Sequence, residues 1–149
     1  MTLGARTLLL LVEDNPDDEL LALRALRKGG FDPEVVVARD GVEALEWLSG
    51  SGQQPGQPRA LPGLVLLDLK LPRIDGLEVL RRVRADPRTR TLPVVLLTSS
   101  RQPEDVARAY ELGANGYVCK PVESEAFFEA VRTIGAYWLT LNEPPPTAA

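Results

Sequence analysis

The stretch LVLLDLKLPRIDG, Leu64 to Gly76, runs through four apolar residues, ends them on Asp68 and turns soon afterwards at Pro72 and Gly76. An unbroken apolar run, as opposed to an alternating one, describes a strand covered on both faces, as in a parallel sheet. Asp68 then stands at the carboxyl end of that strand, where the chain leaves the sheet.

Working outward, the same kind of run recurs as LLLLV (Leu8 to Val12), EVVVA (Glu34 to Ala38), PVVLL (Pro93 to Leu97) and, more weakly, GYVC (Gly116 to Cys119). Segments of helical length lie between them. Asn15-Pro16 opens the first, with Leu20, Leu23 and Leu26 along one side before Gly29-Gly30 ends it. The second is Gly41 to Leu48, with Val42, Leu45 and Leu48 inward. Leu77, Leu80 and Val83 mark the third, which stops around Asp86-Pro87. Glu104 to Leu112 is the fourth, and Glu123 to about Leu141 the fifth. The expected class is α/β, a strand-helix unit repeated five times. The Gly- and Pro-rich stretch Ser49 to Gly63 reads as a long exposed loop, and residues 142–149 as a frayed C-terminal tail following a single domain over 1–141.

Composition narrows the functional classes. The chain has 149 residues, enough for one domain with a sizeable core, and a formal net charge of -4. No basic surface for nucleic acid or anionic lipid is implied, so proteins or small molecules are the expected partners. Cys119 is the single cysteine, which fits a reducing cytoplasm, and the N-terminus reads as carrying no export signal. No stretch is long enough to span a membrane. With no histidine at all, histidine acid-base catalysis and histidine metal ligation are excluded.

In an open parallel sheet every strand delivers its carboxyl end to one edge. The residues gathered there are Glu13 and Asp14, Asp68, Thr98 and Lys120. Any one of them could merely cap the following helix. Three carboxylates with a lysine, from several strand ends, is more than capping requires. Two carboxylates about 4 Å apart repel by about 4 kcal/mol at an effective dielectric near 20, so the group calls for a cation. An oxygen-only donor set suits Mg²⁺. Lys120 adds positive charge for an oxyanion and Thr98 a hydroxyl donor, which together are parts for phosphoryl transfer onto Asp68.

The motifs LLLLVEDN, LVLLDLKLPRIDG, PVVLLTSS and GYVCKP, within about Leu8 to Tyr137, resemble the receiver domain of two-component response regulators. That resemblance implies a flavodoxin-like fold with strand order 2-1-3-4-5 and makes Asp68 the acceptor of a phosphoryl group from a sensor histidine kinase. By the same resemblance Glu13, Asp14, Asp68 and the backbone carbonyl of Lys70 hold the metal, and Thr98 and Lys120 contact the phosphoryl group. Tyr117 matches the aromatic switch residue coupled to Thr98. Lys120-Pro121 matches the family's cis peptide. The longer acid Glu13 is expected to reach the metal through water or to hold Lys120 when no ligand is bound. Such a protein catalyses only its own phosphorylation and dephosphorylation.

ADPRTRTLPVVLLTSS and GAYWLTLNEPP resemble, more narrowly, stand-alone receivers paired with bacteriophytochrome kinases, implying a red-light pathway with output through binding or onward phosphotransfer. Two alternatives stay open. A haloacid-dehalogenase-like phosphatase also uses a strand-end aspartate with Mg²⁺, but wants a second acid where Lys70 stands. A receiver-like interaction module would bind no metal. Flavin binding is disfavoured, because the acidic EDNPDDE after the first strand would repel phosphate.

The fifth helix carries Phe127, Val131, Ile134, Trp138 and Leu141 at a seam-like spacing. The surplus of Tyr137, Trp138, Leu139 and Leu141 predicts a two-fold homodimer, the end of this helix packing on the partner's fourth-helix to fifth-helix face. Asp17 and Asp18 read as helix-dipole partners without chemistry.

Overall fold

The computed structural model describes residues 7–50 and 61–146. Most of the expected long loop lies outside the described residues. The elements run β1 (Leu8–Val12), α1 (Pro16–Lys28), β2 (Glu34–Ala38), α2 (Gly41–Ser49), β3 (Leu64–Leu67), α3 (Gly76–Ala85), β4 (Val94–Thr98), α4 (Pro103–Glu111), β5 (Gly116–Cys119) and α5 (Ser124–Ala136). All four strand pairings are parallel, in the order β2-β1-β3-β4-β5. The flavodoxin-like architecture is therefore the observed one.

Alternation along each strand decides what lies on which face. Leu10, Val12, Val65, Leu67, Val94 and Leu96 pack against Ala44 and Leu48 of α2, Val79, Leu80 and Val83 of α3, and Ala109 of α4. Their neighbours Leu9, Leu11, Leu64, Leu66, Val95 and Leu97 face Ala22, Ala25 and Leu26 of α1 and Phe127, Val131 and Ile134 of α5. β1, β3 and β4 are almost wholly buried, as unbroken apolar runs require.

Helix starts follow local chemistry. The Asn15 side chain accepts the N–H groups of Asp17 and Asp18, with Pro16 at the first helical position. Asp40 caps α2 and Asp75 caps α3 by accepting the N–H groups of Glu43 and Glu78.

Three sequence expectations are corrected. Leu20 is 49% exposed, because the inward stripe of α1 is Ala22, Ala25 and Leu26 with Leu21 beside it. Lys120-Pro121 is trans, since no cis peptide occurs among the described residues; trans is the intrinsically favoured X-Pro form. The fifth helix does not run regularly to Leu141: it ends at Ala136 and widens into a π-helical turn over Tyr137–Leu141. That turn directs Trp138 and Leu139 back onto the α1/α5 side of the core. Tyr137 and Leu141 stay outside, at 49% and 78% exposure.

Candidate functional site

The parity that sorts the core also sorts the polar rim. Glu13 follows the positions of Leu9 and Leu11, Asp68 those of Leu64 and Leu66, and Lys120 that of Val118, all on the α1/α5 face. Thr98 continues Val94 and Leu96, and Tyr117 packs with the same set, on the α4 face. The rim therefore has two halves.

On the α1 side, the Lys120 Nζ lies 2.8 Å from Glu13 Oε1, 2.9 Å from Asp68 Oδ2 and 2.9 Å from Asp18 Oδ2. The lysine side chain is only 9% exposed, and Glu13 and Asp68 are buried. The second oxygen of Asp68, Oδ1, accepts the Leu69 N–H at 2.6 Å and the Lys70 N–H at 3.4 Å. The first turn of α3 presses on this backbone: a Cβ at Gly76 would come within 2.2 Å of the Asp68 carbonyl oxygen. Gly76, the last residue of the deciding stretch, is thus where close approach requires glycine. Its N–H donates to the Leu69 carbonyl at 2.8 Å, fixing the loop that carries Asp68.

Burial drives the Glu13 carboxyl up to about 7; Lys120 opposes the rise and the Asp68 charge adds to it. Burial disfavours the Lys120 ammonium as well, but its hydrogen bonds to Glu13, Asp68 and Asp18 outweigh this, and its pKa is raised. The lysine stays charged while holding the acids together.

Glu13, Asp14 and Asp68 each offer an oxygen, all within 4.8 Å of one another, with Asp14 exposed to solvent. The Lys70 carbonyl accepts no hydrogen bond from the described residues. Hard oxygen donors, one of them open to water, fit a small divalent cation that keeps part of its hydration shell. The three carboxylates expected from sequence at the metal thus come together, and Lys70 follows Asp68 on the same loop with its side chain turned away, 3.6 Å from Asp105.

On the α4 side, Thr98 is fully buried, and its hydroxyl accepts the Ser100 N–H at 3.4 Å. Ser100 is a junction that sequence reasoning did not single out. Its hydroxyl donates to Asp105 of α4 at 2.5 Å, and its carbonyl accepts the Tyr117 hydroxyl at 2.9 Å. Tyr117 and Thr98 therefore meet through one residue, with burial raising the phenol's pKa. Asp18 is the other omission. The available signal was its place in the first turn of α1, the helix covering the face that carries Glu13, Asp68 and Lys120.

No helix among the described residues is long and apolar enough to cross a membrane.

Known proteins resemble this chain in sequence and fold. The model of the response regulator receiver domain family matches residues 9–132. The probable methanogenesis regulatory protein FilR2 of Methanothrix harundinacea is 41% identical over 141 residues, which are 95% of this chain and 89% of that protein. The crystal structure of the phosphorylated cyanobacterial phytochrome response regulator RcpA superposes with a TM-score of 0.88 at 37% identity, covering 95% of this chain and 100% of that one. The bacteriophytochrome response regulator AtBRR is 51% identical with a TM-score of 0.72, covering 94% of this chain and 100% of its own.

Proposed function

The chain belongs to the response regulator receiver family and works as a two-component response regulator; from that premise we propose that Asp68 is its phosphoacceptor. The observation carrying this reading is the Asp68 carboxylate, buried at the end of the central strand β3, with Oδ1 on backbone N–H groups and Oδ2 on Lys120. An Asp68 oxygen forms the bond to phosphorus as the phosphorus–nitrogen bond of a kinase phosphohistidine breaks, and the imidazole leaves with the electron pair. Lys120 neutralises charge on the transferring oxygens. Thr98 and Tyr117 carry the change toward α4 through Ser100.

Receiver domains hold Mg²⁺ or Mn²⁺ in an acidic pocket of this kind. Glu13, Asp14, Asp68 and the Lys70 carbonyl would hold Mg²⁺ here, Glu13 directly or through water. The ion's chemistry is neutralisation of the acids and of phosphoryl oxygens.

Sensor histidine kinases are the partners of receiver domains. For this chain a bacteriophytochrome is the proposed kinase, supported by the phytochrome response regulators among its relatives. A two-fold homodimer through Tyr137, Trp138, Leu139 and Leu141 is supported by the exposure of Tyr137 and Leu141. Trp138 and Leu139 contribute less than the sequence implied, because they also cover their own core. Truncation after Gly135 is expected to give a monomer by light scattering that still accepts phosphate; an unchanged dimer would overturn this interface.

The phosphatase alternative loses ground because the residue two after Asp68 is a cation paired with Asp105. The deciding experiment is phosphoryl uptake from a kinase. Asp68→Asn should lower uptake of base-labile label by at least about a thousandfold, and a normal rate in that variant would refute the assignment.

A further inference from the structure

We propose that Asp18, in the first turn of α1, is a positioning residue that restrains Lys120 in the unphosphorylated protein and so slows phosphoryl uptake. The proposal rests on Asp68 being the acceptor. An ammonium has three N–H donors; Asp18 and Asp68 each accept one at 2.9 Å, and Glu13 forms an ion pair with it at 2.8 Å. With its side chain 9% exposed, Lys120 has little access to water, and three carboxylate oxygens crowd its ammonium against a further acceptor. An incoming phosphoryl oxygen gains an N–H only by displacing a carboxylate.

The three are not equally displaceable. Glu13 is almost fully buried, and its other oxygen accepts the Asn15 N–H at 3.1 Å, so releasing it would strand a buried acid. Asp68 is the acceptor itself. Asp18 has a side chain 25% exposed and stands at a helix N-terminus, which stabilises a carboxylate without Lys120. Asp18 is therefore the partner that yields. Until it does, it occupies one donor and adds a negative charge facing an anionic phosphodonor.

By sequence Asp18 has only the helix-dipole role; the cap itself does not depend on its carboxylate, because Asn15 accepts the Asp18 backbone N–H. The additional role comes from the fold, which lays α1 across the face carrying Lys120.

The test uses acetyl phosphate at saturating Mg²⁺, so that no kinase surface touching α1 is involved. In this reaction an Asp68 oxygen bonds to phosphorus, the phosphorus–oxygen bond to the acetyl group breaks, and acetate leaves. Asp18→Asn is expected to raise the initial rate roughly three- to tenfold, and Asp18→Glu to restore the slow rate. A second readout needs no phosphate: ¹⁵N-detected NMR of the Lys120 ammonium should show a shifted signal with faster proton exchange in Asp18→Asn. An unchanged or lower rate, with the native protein taking up phosphate, would overturn the proposal, as would an unaltered ammonium signal. If the native protein takes up no phosphate, the acceptor assignment is what fails, and the ammonium signal still decides whether Asp18 holds Lys120.

Discussion

The two ends of the sheet each hold a cation, buried at one end and half-buried at the other, and they treat it in opposite ways. At the carboxyl-end rim, Lys120 is surrounded by the acids Glu13, Asp18 and Asp68. At the amino-terminal end, Arg84 of α3 donates, among the described residues, to neutral oxygens alone: the carbonyls of Gly113, Arg90 and Leu92 and the side chain of Asn115, at 2.7–3.0 Å. Asn115 in turn accepts the Val94 N–H at 2.8 Å, joining the starts of β4 and β5. The base has its hydrogen bonds satisfied by acceptors that do not titrate. Acids outnumber cations at the rim, so part of its electrostatic energy is relieved only by an added cation or by protonation. The contrast predicts rigidity at one end and responsiveness at the other.

The largest effect should come from the rigid end. Arg84→Met keeps much of the aliphatic stem but leaves several carbonyls without a donor, and is expected to cost about 2–4 kcal/mol in urea unfolding. The loss should be similar at pH 6 and pH 8, because its partners do not titrate. A loss under about 0.5 kcal/mol would mean that water satisfies those carbonyls and the base is no clamp.

At the rim the same kind of experiment should change sign. The Glu13 carboxyl has a folded-state pKa near 7 against an ordinary 4.5. The folded chain therefore holds a proton there that the unfolded chain has released, and this stabilisation is complete below about 4.5. It is lost as pH rises through 7. Glu13→Gln removes that penalty, so in the absence of divalent metal the variant should be more stable than the native protein at pH 8. The expected gain is about 1–3 kcal/mol, fading near pH 5. If Glu13→Gln is destabilising at pH 8, Lys120 compensates Glu13 fully and the contrast between the ends collapses.

How far this contrast could be read from sequence depends on which elements carry it. Glu13, Asp68 and Lys120 were legible because each directly follows an apolar strand and parallel strands end on one edge. Asp18 was not, since an acid in a first helical turn already has a sufficient local explanation. Arg84 was invisible for a related reason: an arginine beside Val83 reads as part of a solvated helix face. Its partners lie in the segments preceding β4 and β5, and only the tertiary fold brings them together. The end of α5 was half legible. Spacing identified the apolar residues, but not the π-helical turn that sends Trp138 inward and leaves Leu141 out.

The smallest predicted effect tests whether the α4 side of the rim shares the rigidity of the base. The Tyr117 hydroxyl donates to the Ser100 carbonyl at 2.9 Å, and its ring packs against the α2–α4 side of the core. Burial raises the phenol's pKa, so it remains a donor throughout the neutral range. Tyr117→Phe keeps the ring and removes one neutral hydrogen bond at a half-buried position, where the Ser100 carbonyl can still meet water or the Cys119 thiol, 3.7 Å away. Such a bond contributes about 0.5–1 kcal/mol net, so a shift of that size in urea unfolding is expected. Hydrogen exchange of the Ser100 to Asp105 segment should quicken, because that carbonyl helps fix the residue whose N–H donates to Thr98 and whose hydroxyl donates to Asp105 of α4. A loss above about 2 kcal/mol would show the α4 side braced like the Arg84 base, and the responsive part of the rim would then shrink to the acids around Lys120.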